Sequence, residues 1–296
     1  MGNDRLIAAA TAVTRPPAPC LRPYLRLLWA WAPEGGAARR PGAREHVLPT
    51  GGMHLVFRLS GPPLRLFGSA ADARGQTFGH AIVGGARSAF YLRDVSVATR
   101  SVGAQLQPGA ARMLLGAPEG ALAGAHTPLE ALWGRSAADA ALAQLHAAAD
   151  PEAQLALFER LLARRLATSL NAGLHGLHPA VAASLDAVDR GDANIGTLVA
   201  RSGYSHRRFI ALFRGDTGLA PKEYARVRRF DRALSLAGEA RRHDWAEIAL
   251  AAGYSDQAHL SREFSALAGM GPQAWRERGA PSPRHVPAAG QIRSRR

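Results

Sequence analysis

Two Gly-Tyr-Ser triplets, Gly203-Tyr204-Ser205 and Gly253-Tyr254-Ser255, are the clearest chemical signal in the chain. Each follows a short apolar run and precedes a Phe, a Gly, a Pro and an aromatic in fixed order. Phe213, Gly218, Pro221 and Tyr224 match Phe264, Gly269, Pro272 and Trp275 at the same spacing. Only the stretch from glycine to phenylalanine differs: ten residues in the first unit and eleven in the second. A duplication this detailed is far more specific than either triplet alone. Its residue types suit recognition. No Gly-rich phosphate loop of either common type appears in the chain.

Each unit has the physics of a helix-turn-helix. In the first, Asn194 caps a helix that buries Ile195, Leu198 and Val199. Gly203 allows a tight turn at positive φ, and Ser205 stands where an N-cap belongs. The next helix buries Phe209, Leu212 and Phe213 and exposes His206, Arg207, Ile210 and Ala211. In the second unit Asp244 starts the first helix and Ser255 is expected to cap the second. That helix buries Leu260 and Phe264 and exposes Gln257, Ala258, Ser261 and Arg262. A capped helix projecting polar side chains from its first turns is what a DNA major groove accommodates. The helix starts, with the Ser205 and Ser255 hydroxyls, also suit phosphates. A connecting helix from about Pro221 to Ala237 would span roughly 26 Å at ~1.5 Å per residue. That spacing suits recognition helices about one DNA turn apart. Arg228, Arg229 and Arg232 on this connector are expected phosphate contacts, with Arg226, Arg241 and Arg242 as further candidates. The bland alternative is a solvated helix face, or a helical module for protein contacts.

Those elements occupy the end of a 296-residue chain that is 47% hydrophobic and carries a net charge of +14. The length suggests about two domains with real cores. One cysteine excludes an internal disulfide and a Cys-rich zinc site. No apolar run reaches about 18 residues without a break, which argues against a membrane span. Arginine supplies all the basic residues except Lys222, and both halves of the chain carry +7, so charge alone does not locate an anion-binding face. Residues 21–125 read as β-rich, with short apolar runs between Gly and Pro clusters. Met53, Leu55, Phe57 and Leu59 alternate with His54, Val56 and Arg58, the pattern of a strand with one face outward. Residues 126–177 read as a helical coupling segment. Thr127-Pro128-Leu129-Glu130 has the form of a helix start, and Leu155, Phe158, Leu162 and Leu166 share one helix face. Residues 1–20 and the basic tail 279–296 are expected to be disordered.

Other candidate chemistry is weak. Cys20 follows Pro-Pro-Ala-Pro with no adjacent histidine, so an inert thiol is the default. His46, His54 and His80 lie in the β region without a His-x-His pair, which disfavours a metal site. No catalytic residues, metal or cofactor are expected. An enzyme or sensor fused to a DNA-binding module, using Cys20 or these histidines, stands as the alternative.

The stretches SGYSHRRFIALFRGDTGLAPKEYARVRRFDRAL and WAEIALAAGYSDQAHLSREFSALAGMGPQAWR closely resemble the DNA-binding domain of AraC/XylS-type bacterial transcription regulators. The resemblance covers residues 178–278. RPYLRLLWAW, HVLPTGGMHLVFRLS and TPLEALWG are similar to a less characterised N-terminal domain found ahead of such modules. It implies an α+β chain, with a cupin-like β-rich sensor or dimerisation domain followed by an all-α double helix-turn-helix domain. It further implies a cytoplasmic regulator whose exposed recognition-helix residues read bases. Duplex DNA is the expected partner. RNA polymerase, a small-molecule effector and a second copy of the chain are left open as others, and no membrane is expected.

Overall fold

The computed structural model describes residues 10–33, 40–190, 194–239, 244–279, 282 and 284–288. In chain order the strands are β1 (Ala10–Arg15), β2 (Leu25–Pro33), β3 (Arg44–Val47), β4 (His54–Arg58), β5 (Arg65–Phe67), β6 (Gln76–Thr77), β7 (Ala81–Gly84), β8 (Tyr91–Asp94), β9 (Ser101–Leu106), β10 (His126–Pro128) and β11 (His285–Pro287). They form two antiparallel sheets, one ordered β1-β2-β9-β4-β7-β10 and the other β11-β3-β8-β5-β6.

Side-chain alternation along β4 decides how these sheets are covered. Leu55 and Phe57 are fully buried on the face that meets the helices after β9. Those helices are α1 (Ala110–Leu115), α2 (Glu119–Leu122), α3 (Glu130–Trp133), α4 (Arg135–Ala147) and α5 (Pro151–Asn171). The Phe57 ring lies 5.6 Å from Phe158 of α5 and 6.4 Å from Trp133 of α3. Asp150 caps α5 by accepting from the Ala153 amide at 2.8 Å, and Pro151 occupies its first turn. Leu155, Phe158, Leu162 and Leu166 are buried, as the spacing predicts. Burial of each contributes roughly 1.5–3 kcal/mol.

The opposite face of β4 departs from expectation. His54, Val56 and Arg58 do not face solvent; they line a cavity between the two sheets, and Arg58 is only 8% exposed. Both faces of β4 are covered, one by α5 and one by the second sheet, so alternation here separates two interiors. Thr127 and Pro128 also depart from expectation. They belong to β10, where Thr127 pairs opposite Val83, and α3 starts only at Glu130.

Ahead of β11 the C-terminal half is built of helices: α6 (Pro179–Arg190), α7 (Ile195–Ser202), α8 (His206–Thr217), α9 (Pro221–Glu239), α10 (Trp245–Ala252), α11 (Gln257–Ala268) and α12 (Pro272–Glu277). It shares one continuous apolar core with the β-rich half. Between the halves, α2 packs closely on α8. There the Gly120 α-carbon faces the Arg214 carbonyl so tightly that a Cβ would come within 2.9 Å of it. Asp216 of α8 ties the halves together, its carbonyl accepting from the Gly109 amide at 2.8 Å, while its carboxylate accepts from the His178 amide just before α6 at 2.7 Å.

The ends of the chain correct two expectations. Residues 10–15, assigned by sequence to a disordered leader, form β1 along the edge of β2. Residues 285–287, assigned to a disordered tail, form β11 on β3, with Val286 fully buried. Each segment pairs with an edge strand whose amides would otherwise lack partners. The rest of the expected leader up to residue 9, and residues 289–296, lie outside the described residues.

Candidate nucleic-acid interface

The two repeated units fold as paired helices, and the aromatic positions of the repeat form their cores. Phe213 meets Tyr224 edge-on at 5.6 Å in the first unit, and Phe264 meets Trp275 at 6.1 Å in the second. Phe230 of α9 and Trp245 of α10 close around Phe264 at 5.0 and 5.8 Å. Gly203 and Gly253 end α7 and α10 at φ of 71° and 90°, left-handed conformations that favour glycine. Asn194 and Asp244 cap these first helices, as expected.

The caps of the second helices differ between the units. Ser205 caps α8, its hydroxyl accepting from the Arg208 amide at 3.3 Å. Ser255 does not cap α11. Asp256 does, its carboxylate accepting from the His259 amide at 2.6 Å, while the Ser255 hydroxyl donates to Asp256 at 3.0 Å. The extra residue between Gly253 and Phe264 lies in the turn and moves the cap one place along. Past the cap the helices are in register, since Phe213 and Phe264 each stand seven residues after the first helical residue.

This register brings most of the expected recognition residues to one face. His206, Arg207 and Ala211 are exposed on α8, and Gln257, Ala258 and Arg262 on α11. Ile210 and Ser261, the equivalent pair one turn in, are half-buried. Arg208 and Arg214 are exposed on α8 as well, although neither was singled out from sequence. The signal was available for Arg208, which follows directly on the first two exposed residues. The α9 connector is 19 residues long, about 28 Å at ~1.5 Å per residue.

The connector arginines are not equivalent. Arg228 is committed within the protein, donating to Asp189 at 2.7 Å and Asp231 at 3.2 Å with a side chain only 17% exposed. The expectation of a free phosphate contact there is not met, because α9 turns this face toward the β-rich half, where Arg228 packs against Gly51. Arg232 donates to the Ala252 carbonyl at 3.2 Å and to that of Asp189, and Arg226 pairs with Glu263 of α11. Arg229 is half-buried, 5.4 Å over the Tyr254 ring. Arg241 and Arg242 lie outside the described residues.

Of the other candidates, Cys20 is exposed. His46 stacks on Phe90 at 4.6 Å with its Nδ1 against the Ala268 carbonyl, whereas His54 faces the inter-sheet cavity together with His126. Burial holds both cavity imidazoles neutral, His54 down at about 4 and His126 at about 3.

Comparison with known proteins finds two family models along the chain. Residues 198–278 match a family model described as a helix-turn-helix domain, and residues 13–128 match a domain of unknown function (DUF6597). Among solved structures, the DNA-binding domain of AdpA, described as the global transcriptional factor and in complex with a target DNA, is 26% identical. It covers 34% of this chain and 92% of its own, with a TM-score of 0.31. ToxT from Vibrio cholerae is 10% identical over 90% of this chain and 98% of its own, with a TM-score of 0.45. ToxT from strain SCE256 with bound unsaturated fatty acid is 9% identical over 80% and 96%, with a TM-score of 0.43. No curated protein matches the chain.

Proposed function

We propose that this chain, which carries an AraC-type helix-turn-helix domain behind a β-rich domain, is a transcription regulator that binds duplex DNA sequence-specifically. The observation that carries the reading is the pair α8 and α11. They are side-chain-capped helices in the same register, joined by α9, and each offers polar and basic side chains from its first turns. His206, Arg207 and Ala211 read one major-groove segment, with Ile210 at its margin. Gln257, Ala258 and Arg262 read the next, with Ser261 at its margin. The start of α8 at Ser205 approaches a phosphate, as do Arg229 and the Ser255 hydroxyl, which stands one residue ahead of the α11 cap. Arg232 joins them if its present hydrogen bonds yield.

The β-rich half supplies regulation. It packs on α8 and α9, so a small molecule bound there changes how the recognition helices are held. RNA polymerase and a second copy of the chain are further partners in this reading. The cell interior is its place of action, since that is where the DNA lies. No helix among the described residues is long and apolar enough to cross a membrane.

The test is binding of the full chain to duplex DNA at several salt concentrations, followed by selection of preferred sites from random duplexes. Affinity should fall steeply with salt, as for roughly 6–10 phosphate contacts, and the selected sites should share a non-palindromic pair of segments about one turn apart. A folded protein with no salt-dependent DNA binding overturns the reading.

A further inference from the structure

The cavity between the two sheets has a volume of about 80 Å³, room for roughly five to eight waters. Part of its wall is apolar, from Val56, Leu64 and Ile82, and no carboxylate among the described residues lines it. Three guanidinium groups do, and two of them have no carboxylate ion pair among the described residues. Arg58, at the end of β4, donates its Nε to the Pro62 carbonyl at 3.1 Å. Arg87, after β7, donates to the Ala125 carbonyl at 3.1 Å and lies 4.5 Å over the Tyr91 ring. Its Nη2 also stands 3.1 Å from Nδ1 of His126. Among the described residues neither arginine meets an Asp or Glu within ion-pair distance. The third cavity arginine, Arg93, differs because it is paired with buried Glu45.

A buried cation without a counter-ion is costly, and replacement by an apolar residue would relieve that cost. Two such cations facing one cavity are a poor way to stabilise a sandwich and a good way to hold an anion. Neutral His126 adds to this. With Arg87 donating to Nδ1, its ring proton sits on Nε2, a second kind of donor at the same wall. Burial lowers both arginines from their ordinary range, Arg58 to about 10, so both remain charged at neutral pH.

We infer that this cavity binds a small organic anion of carboxylate type, held by Arg58 and Arg87 through forked, charge-assisted hydrogen bonds, with its carbon body against Val56, Leu64 and Ile82. Two arginines without a direct ion pair, Arg58 having only the more distant charge of Asp94, and the modest volume favour a short dicarboxylate. The inference names the effector class for the regulator proposed above. It rests on that reading only for its consequence at DNA, and the site is tested without DNA.

The experiment is thermal unfolding of the full chain with succinate as probe, at constant ionic strength set with sodium chloride. Succinamide is the neutral isostere, and inorganic phosphate tests an inorganic oxyanion. Succinate should raise the midpoint saturably and succinamide should not. Arg58→Gln and Arg87→Gln should each weaken the succinate response at least tenfold while still unfolding cooperatively. If either variant fails to fold, Arg58→Lys and Arg87→Lys keep the charge and should retain a saturable, weaker response. The inference is overturned if succinate gives no response beyond the chloride control, if phosphate outcompetes it, or if the arginine variants respond as the parent does. Saturable binding with no change in DNA affinity leaves the site standing and removes its role as effector site. Loss of DNA binding altogether counts against the regulator and not against the cavity.

Discussion

Arg262 and Arg228 show why a basic residue on a DNA-binding helix must be judged by what it touches. Arg262 is exposed on α11 and can offer its donor fork to a guanine edge. Arg262→Ala should cost about 1–3 kcal/mol at the preferred site and relax one base position, read by site selection with the variant. Unchanged base preference would reduce Arg262 to a phosphate contact. Arg228 is held between Asp189 and Asp231, so Arg228→Ala should lower the thermal midpoint and leave the salt slope of DNA binding unchanged. A slope reduced by about one would mean that those ion pairs open on DNA. Glu119 makes a third case. It is buried beneath α1, accepts from the Ala111 amide at 2.8 Å, and burial pushes its carboxyl up to about 7, with Asp216 nearby adding to the shift. The folded state therefore holds a proton that the unfolded chain releases above about 4.5, so this group's contribution falls as pH rises from about 4.5 to 7. The cavity imidazoles act in the opposite direction, because their depressed folded values lose stability as pH falls below the ordinary histidine range. Comparing Glu119→Gln with the parent removes that background. The variant should gain roughly 1–3 kcal/mol relative to the parent at pH 8 and little at pH 4. An equal effect at both pH values would place the carboxyl in an unperturbed setting.

At the scale of elements, the two recognition helices differ at their N-caps, Ser205 and Asp256, and the difference is measurable. Asp256→Ala removes the α11 cap and should cost about 1 kcal/mol, seen as a lower unfolding midpoint, whereas Ser255→Ala should cost only a few tenths. The reverse order would restore Ser255 as the cap. The sequence shows the helices, turns and buried aromatics of this half well, because caps, left-handed glycines and i, i+4 spacing are local properties. It also shows the extra residue between Gly253 and Phe264, whose consequence follows only when Phe264 is taken as the fixed point of the register. The β-rich half is less legible because its decisive contacts are distant in sequence. His54, Val56 and Arg58 alternate with apolar neighbours as an outward face would, and only the return of β8 and β3 in a second sheet makes that face interior. Arg87 and His126, 39 residues apart, carry no mutual signal until β7 and β10 pair. Val286, in a Pro- and Arg-rich tail, gives no local sign that it will pair with His46 some 240 residues earlier.

For the whole molecule, that distant pairing means the two halves do not behave as independent modules. Val286 is fully buried in the same core that holds Leu55 of β4 and Phe264 of α11. Glu45, 5% exposed on β3, takes an ion pair from Arg93 and accepts His285 at 2.9 Å. Arg284 reaches back to Asp231 on the connector, its Nε donating at 2.7 Å. Arg26 of β2, Arg228 and Arg284 thus share a half-buried cluster with Asp189 and Asp231, at the place where α9 meets the first sheet. A shared core and a charged seam of this kind couple the unfolding of both halves. Calorimetry of the full chain should therefore show one transition. Arg284→Ala leaves Asp231 with its ion pair to Arg228 and the nearby charge of Arg26, and should lower the midpoint of that transition without splitting it. Val286→Asp places an unpaired charge at a fully buried position beside β3 and should be severe, costing several kcal/mol. Two separate transitions in the parent chain, with only the later one moved by either substitution, would show that the C-terminal strand belongs to one half and does not tie the two together.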